Sequence, residues 1–235
     1  PLNVKMNKEG YEDIKSVLET GTRPLSPEDF EVTANETEAI ILDVRHQDEF
    51  AKGHIPQSIF IGIDGGFAPW VGALIGDVQQ PILLVTPEGR EEETVTRLAR
   101  VGFDNTLGYL KGGIEAWKGK GKELDAIAGI ETSELKTKME ANDLQIFDVR
   151  KSGEYLSEHI PNAHNTPLDF INEHMAEFPE NEPFFIHCAG GYRSMIAASI
   201  LKSRGIHNLI DVKGGFAKIK ENGIKVSEYV CPSTL

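Results

Sequence analysis

The most constraining feature of this sequence is an internal repeat. Its two copies are each about 100 residues long, the size of a domain rather than of a solenoid unit. The chain is therefore predicted to form two similar domains, followed by a short tail. Three pairs of segments carry the repeat: 40–45 (IILDVR) with 145–150 (QIFDVR), 54–56 (HIP) with 159–161 (HIP), and 112–113 (GG) with 214–215 (GG).

Each copy alternates short apolar strands with helical patterns. This alternation predicts an α/β fold, in which each domain is a parallel sheet flanked by helices on both faces. The elements predicted for the second copy are a helix capped by Ser133 and running to Glu140, a strand over 144–148, helices over 153–157 and 168–178, a strand at Phe184, a helix over 194–204, a strand over 209–212 and a helix over 215–220.

The repeat also sets the expected boundaries. Residues 1–25 precede it as an amino-terminal extension, in which 10–21 is predicted to form one helix. We expect the first domain at 26–121, a linker at 122–130, and the second domain with its tail at 131–235.

Cys188 is the strongest candidate for a reactive group. It follows an apolar stretch typical of a buried parallel strand, and Gly190-Gly191 and a helical pattern come next. Ligands of open α/β sheets bind at this strand-to-helix edge, where backbone N–H groups form a cradle for anions. The helix dipole and Arg193 favour the thiolate. We therefore predict a nucleophilic Cys188 that acts on an anionic substrate.

The loop at 188–194 (CAGGYRS) resembles the active-site loop of rhodanese sulfurtransferases. The segments DVR and HIP of both copies also resemble that family. The loop of this chain is similar to that of cysteine phosphatases too, but the phosphatase loop is one residue longer. The resemblance implies that Cys188 takes a sulfane sulfur from thiosulfate or a low-molecular-weight persulfide and passes it to a thiol or sulfite acceptor, with Arg193 orienting the anion. It also implies substrate binding by Ala189, Gly190, Gly191, Tyr192 and Ser194.

The first copy is expected to be inactive. Thr86 stands where Cys188 stands, and Glu91 stands where Arg193 stands. Pro87 has no N–H to donate to an anion. We interpret this copy as a scaffold or an interface, while the alternative is that its acidic loop binds a cation or a basic partner.

The order of an inactive copy before an active one resembles the carboxyl-terminal part of metallo-β-lactamase-fold persulfide dioxygenase–rhodanese fusions. The segments 65–70 (GGFAPW) and 108–113 (GYLKGG) support this resemblance. It implies a metallo-β-lactamase-fold domain upstream of Pro1, which would carry the metal ligands.

Composition excludes several classes of function. The formal net charge of -13 argues against nucleic-acid partners and against anionic membrane surfaces. No apolar stretch approaches the length of a membrane span. The two cysteines, Cys188 and Cys231, form no disulfide framework, so we expect a reducing, cytoplasmic setting. The histidines are scattered, and we predict neither a metal nor a cofactor for this chain.

Several side chains near the loop have more ordinary interpretations. His187 is predicted to be a packed histidine rather than a base, because alternation along the strand turns it away from Cys188. Arg150 recurs in the inactive copy and is expected to fix a strand end by pairing with Glu154. Cys231 is taken as an incidental thiol in the tail, with a resolving role as the alternative.

Two rival functions remain at this stage. One is a cysteine phosphatase of the same fold, which the short spacing of Cys188 and Arg193 disfavours. The other is a non-catalytic interaction module.

Overall fold

The computed structural model describes residues 14–231. The chain divides into two compact units with a boundary between Asp125 and Ala126, and Phe50–Lys52 are grouped with the second unit. Each unit contains one five-stranded parallel sheet. The predicted α/β class with two parallel sheets flanked by helices is confirmed.

The first sheet has the strand order β1-β5-β4-β2-β3. Its central strand β4 is buried on both faces, as expected for a parallel sheet covered by helices. The strands are β1 (Pro24–Leu25), β2 (Ile40–Asp43), β3 (Ile59–Phe60), β4 (Ile82–Val85) and β5 (Thr106–Leu110), and the helices are α1 (Ile14–Gly21), α2 (Pro27–Thr37), α3 (Gln47–Lys52), α4 (Phe67–Leu74), α5 (Glu91–Ala99) and α6 (Gly113–Gly119).

The second sheet repeats this topology, with the order β6-β10-β9-β7-β8. Its central strand is again fully buried. The strands are β6 (Gly129–Ile130), β7 (Ile146–Asp148), β8 (His164–Asn165), β9 (Phe184–His187) and β10 (Leu209–Val212), and the helices are α7 (Thr132–Ala141), α8 (Ser152–Ser157), α9 (Tyr192–Ser203) and α10 (Gly215–Glu221).

Successive side chains of β9 pack into different parts of the second domain. The Phe184 ring packs against those of Phe147 and Phe178, with centroids 5.2 Å and 5.5 Å away, respectively. Phe185 belongs to the cluster that includes Phe216 of α10. This alternation is the ordinary pleat of a strand, and it determines where His187 and Cys188 point at the end of β9.

The extension and the linker contribute to the sheets. Gly21 of α1 lies against Val95 of α5, so close that a Cβ at Gly21 would be 2.8 Å from a Val95 methyl carbon. Strand β1 pairs with β5, although its residues precede position 26. Strand β6 lies in the segment 122–130 and pairs with β10. Of the helix predicted over 10–21, positions 10–13 lie outside the described residues.

Two local predictions were wrong. Helix α7 begins at Thr132 with Glu131 as its N-cap, so Ser133 is inside the helix and does not cap it. The helix predicted over 168–178 is replaced by two 3₁₀ turns, Leu168–Phe170 and Met175–Glu177. Hydrogen bonds between residues three apart, such as Ile171 N–H to the Leu168 carbonyl, close these turns and do not propagate into an α-helix.

Within residues 14–231, no helix has the length and apolar character that crossing a membrane requires.

Candidate active site

Cys188 lies in the loop between the carboxyl end of β9 and the amino end of α9. Its side chain is buried, with a relative exposure of 1%, whereas the next two residues, Ala189 and Gly190, are exposed. The thiol is therefore at the floor of a loop whose rim is open to solvent. This is the edge of a parallel sheet at which α/β proteins bind ligands.

Gly191 turns the chain towards the thiol. Its φ of 105° lies in a region that residues with a Cβ rarely adopt. In this conformation the Gly191 N–H donates to the Cys188 Sγ at 3.1 Å. The Ser194 hydroxyl is buried and donates to the Gly191 carbonyl at 3.1 Å, which stabilises the turn. The loop therefore holds one backbone donor on the sulfur at the amino end of a twelve-residue helix.

The first turn of α10 holds the other side of the loop. The Phe216 N–H donates to the Cys188 carbonyl at 2.7 Å, and the Ala217 N–H donates to the Ala189 carbonyl at 3.1 Å. Gly215 makes this approach feasible, because a Cβ there would be 2.9 Å from the Ala189 carbonyl carbon. These hydrogen bonds from α10 were not predicted from the sequence, although the glycine pair at 214–215, which recurs at 112–113, pointed to a close approach of two backbone segments.

Arg193 is engaged by Glu154 of α8. Its two terminal nitrogens donate to the two carboxylate oxygens at 2.6 Å and 2.8 Å. These bonds hold the pKa of Glu154 below its usual range and raise the pKa of Arg193. Arg193 is thus a cation held in one place by a carboxylate that offsets part of its charge, and its electrostatic interaction with Cys188 contributes to its raised pKa.

The expected pair of Arg150 with Glu154 was wrong. Arg150 instead binds the buried Asp148 two positions earlier, with its Nη2 2.5 Å from a carboxylate oxygen. Its guanidinium carbon lies 3.8 Å from the centroid of the Phe216 ring. Because Asp148 is only two positions away, Arg150 pairs with it locally, and Glu154 remains available for Arg193. The structural role predicted for Arg150 stands, with Asp148 as its partner in place of Glu154.

His187 is fully buried and stacks on Phe216, with the two ring centroids 6.1 Å apart. Burial lowers its pKa, so the imidazole is held neutral. The prediction of a packed histidine is confirmed.

The first domain presents the same loop filled by its own side chain. The Glu91 carboxylate accepts a hydrogen bond from the Thr86 hydroxyl at 3.2 Å and from the Gly89 N–H at 3.2 Å. Gly89 has a φ of 80° and corresponds in the repeat to Gly191. The donor that faces the cysteine sulfur in the second domain therefore faces an internal carboxylate in the first.

The second-domain site combines a cysteine, a backbone donor on its sulfur, a nearby guanidinium and an open rim. These groups suit covalent attack by a thiolate on a small anion. Within the described residues, His, Cys, Asp and Glu side chains form no group of three that could hold a metal ion. Ala189, Gly190 and the partly buried Tyr192 are brought to the rim, and their binding of substrate stays a prediction.

Fold and site together define a parallel α/β protein with a buried cysteine in the loop that follows a central strand. A family model described as rhodanese-like domain matches residues 26–120 and 131–222. The chain therefore belongs to the rhodanese-like domain family and carries two such domains.

Curated relatives share one domain's length with the chain. A Bacillus subtilis protein named putative sulfur carrier protein YrkF is 34% identical over 91 residues, which are 38% of this chain and 49% of that protein. The uncharacterized protein YqhL of the same organism is 34% identical over 74 residues, 32% of this chain and 59% of that protein. The chain thus spans less than two thirds of these two relatives.

A third relative is covered more fully. It is the thiosulfate sulfurtransferase GlpE of Coxiella burnetii, 30% identical over 90 residues, which are 38% of this chain and 81% of that protein. Among solved structures, a rhodanese-like domain protein from Staphylococcus aureus is 36% identical, covers 43% of this chain and 100% of its own, and has a TM-score of 0.40.

Proposed function

We propose that the second domain is a sulfurtransferase that carries sulfur as a persulfide on Cys188. The observation that carries this proposal is the Gly191 N–H on the Cys188 sulfur at the amino end of α9. The same donor and the helix dipole suit a thiolate before the reaction and a persulfide anion after it. Membership of a family with a relative named thiosulfate sulfurtransferase supports the assignment.

In the proposed first step, the Cys188 thiolate attacks the outer sulfur of thiosulfate. A new S–S bond forms, the original S–S bond breaks, and its electron pair leaves with sulfite. In the second step, a thiol, sulfite or, in an assay, cyanide attacks the outer sulfur and regenerates the thiolate. A persulfide of a low-molecular-weight thiol donates in the same way, with a thiolate as the leaving group. Double displacement of this kind gives ping-pong kinetics.

Arg193 is assigned to orient the anionic donor at the rim of the loop. Glu154 holds the guanidinium in one place, and the open edge of the loop at Ala189 and Gly190 gives the donor access. The first domain has no thiol in its loop and fills the loop with Glu91. We assign it a scaffold role.

The test is the intact mass of the chain after incubation with thiosulfate, and separately with glutathione persulfide. The proposal predicts a gain of one sulfur that cyanide removes and that Cys188→Ser abolishes. The exposed Cys231 provides the matched control, and Cys231→Ser should keep the gain. If neither donor adds sulfur to the wild type, the proposal fails and the interaction module becomes the better interpretation.

Two wider expectations belong to the same proposal. A thiolate enzyme of this kind suits a reducing compartment, and we assign it to the cytoplasm. The upstream metallo-β-lactamase-fold domain stays a prediction based on the resemblance, and the reading frame before the codon for Pro1 tests it.

A further inference from the structure

Phe216 connects the active-site loop to a buried ion pair that lies outside the loop. Its N–H donates to the Cys188 carbonyl at 2.7 Å. Its ring lies beneath the guanidinium of Arg150, whose central carbon is 3.8 Å from the ring centroid. The same ring stacks at 17° to the imidazole of His187. One residue of α10 therefore contacts the ends of two strands with its ring and holds the cysteine with its main chain.

The guanidinium on this ring is held on several sides. Arg150 Nε donates to the Asp148 carboxylate at 2.9 Å, and Nη2 donates to it at 2.5 Å. Nη2 also donates to the Glu158 carbonyl at 2.8 Å. An arginine stays charged in proteins, and a desolvated cation is attracted to the face of an aromatic ring. The position of the Phe216 ring is thus set by a fixed and permanent cation.

The first domain repeats the ion pair without the ring. Arg45 Nη2 lies 2.5 Å from the Asp43 carboxylate and donates to the Gly53 carbonyl at 2.9 Å, as in the second domain. The residue that matches Phe216 in the repeat is Ile114. Isoleucine has no aromatic face to attract a cation. The ion pair therefore serves both domains, whereas the ring that joins it to the loop belongs to the domain with the cysteine.

Two different helices hold the two functional groups of the site. From α10, the N–H groups of Phe216 and Ala217 bind carbonyls of the loop. From α8, Glu154 binds Arg193, the cation assigned to the donor anion. A weaker contact with α10 should therefore displace the thiol while the cation for the donor stays in place.

We propose that Arg150 is a positioning residue for sulfur transfer, which acts through the ring of Phe216 on the backbone of Cys188. The inference rests on the proposed function and adds to it a positioning pair outside the loop. With the ring held, the Phe216 N–H keeps the Cys188 carbonyl in place, and the sulfur stays at the Gly191 N–H. When the cation or the ring is lost, the first turn of α10 shifts, the sulfur leaves its attacking position, and the transfer step slows.

A single-turnover experiment tests the ring. Rapid quenching and intact mass give the maximal rate constant of Cys188 persulfide formation and the thiosulfate concentration that half-saturates it. Phe216→Leu should lower the rate constant by about tenfold or more and leave the half-saturating concentration unchanged. Phe216→Tyr keeps an aromatic face for the cation and should retain most of the rate. An unchanged rate constant in Phe216→Leu, or equal losses in the two variants, would overturn the inference.

A change at the cation tests the same link from its other end. Arg150→Lys keeps a positive charge for Asp148 but loses the planar group that lies on the ring. It should lower the rate constant, and adding Phe216→Leu should lower it little further, because both changes break one link. Arg45→Lys is the matched control and should keep the wild-type rate constant. A full rate in Arg150→Lys, or losses that multiply in the double variant, would show that the cation does not act through the ring.

Hydrogen exchange follows the contact without any sulfur chemistry. The N–H groups of Phe216 and Ala217 donate to the loop, so their exchange reports on its contact with α10. Arg150→Lys should speed the exchange of both, Arg45→Lys should not, and persistent protection of β9 shows that the variants are folded. Unchanged exchange in Arg150→Lys contradicts the inference. Failure of the wild type to gain sulfur from either donor contradicts the proposed function instead, whatever the exchange rates are.

Discussion

Gly215→Ala should disable the active-site loop through a backbone clash. The added Cβ would be 2.9 Å from both the carbonyl carbon and the carbonyl oxygen of Ala189, and closer still to the Cys188 carbonyl oxygen. Relief of this clash requires the loop to move away from α10, which breaks the hydrogen bonds from Phe216 and Ala217. Displacing a nucleophile by about 1 Å costs roughly a hundredfold in rate.

The repeat provides a matched control for this substitution. Gly113 occupies the equivalent position, and its φ of 59° is close to the 56° of Gly215, but a Cβ there would meet nothing within 4 Å. Both variants carry the cost of a left-handed backbone, about 1–2 kcal/mol. Gly215→Ala additionally loses two hydrogen bonds of about 1 kcal/mol each. The two variants should therefore differ in stability by about 2 kcal/mol.

Two measurements together test the argument. The rate of Cys188 persulfide formation from thiosulfate should fall in Gly215→Ala and stay near the wild-type value in Gly113→Ala. Both tryptophans, Trp70 and Trp117, are in the first domain, so fluorescence follows only that domain, and hydrogen exchange of α10 is needed for the second. Wild-type activity in Gly215→Ala, or equal damage by the two substitutions, would refute the reasoning.

Three further outcomes are expected. Glu154→Gln should change the free energy of unfolding by less than about 1 kcal/mol, because the ion pair with Arg193 is partly exposed. It should nevertheless lower kcat/KM for thiosulfate several-fold. Unchanged kinetics would show that Glu154 does not position Arg193 for catalysis. Thr86→Cys, made in the Cys188→Ser chain, should gain no sulfur from thiosulfate in a mass measurement, because the Glu91 carboxylate already accepts the hydrogen bond from the Gly89 N–H. A gain of sulfur would show that this carboxylate does not block the loop. Because burial lowers the pKa of His187, the histidine is protonated in the unfolded chain before it is protonated in the folded one as the pH falls below about 6.5. The free energy of unfolding of the wild type should therefore decline more steeply between about pH 7 and about pH 5 than that of His187→Gln. Denaturation profiles that stay parallel over this pH range would contradict the assignment.

The sequence predicted the parts of this protein that depend on local pattern. Strand β9, the cysteine at its end and the glycine turn follow from an apolar run and a glycine pair within ten or so positions. Aligning the two copies of the repeat then showed which residues of the first domain stand at the positions of the site in the second, and that Thr86 stands in place of the cysteine.

The partners that complete the site depend on tertiary structure and were missed for that reason. Arg193 and Glu154 are 39 positions apart, and nothing in their local sequence connects them. The hydrogen bonds from α10 to the loop are donated by backbone N–H groups. Every residue except proline has this group, so side-chain identity in the sequence does not predict these bonds. The two 3₁₀ turns replaced a predicted helix because apolar spacing alone does not distinguish one hydrogen-bonding pattern from the other.

The internal carboxylate of the first domain makes its loop self-contained. Because Glu91 accepts a hydrogen bond from the Gly89 N–H, the backbone donor that an anion would use is already satisfied within the chain. Under the proposed function, activity in the first domain would require a thiol at position 86, loss of the Glu91 carboxylate and an N–H in place of Pro87, and no one of these changes would suffice alone. Installing the chemistry in this domain is therefore a problem of several simultaneous substitutions.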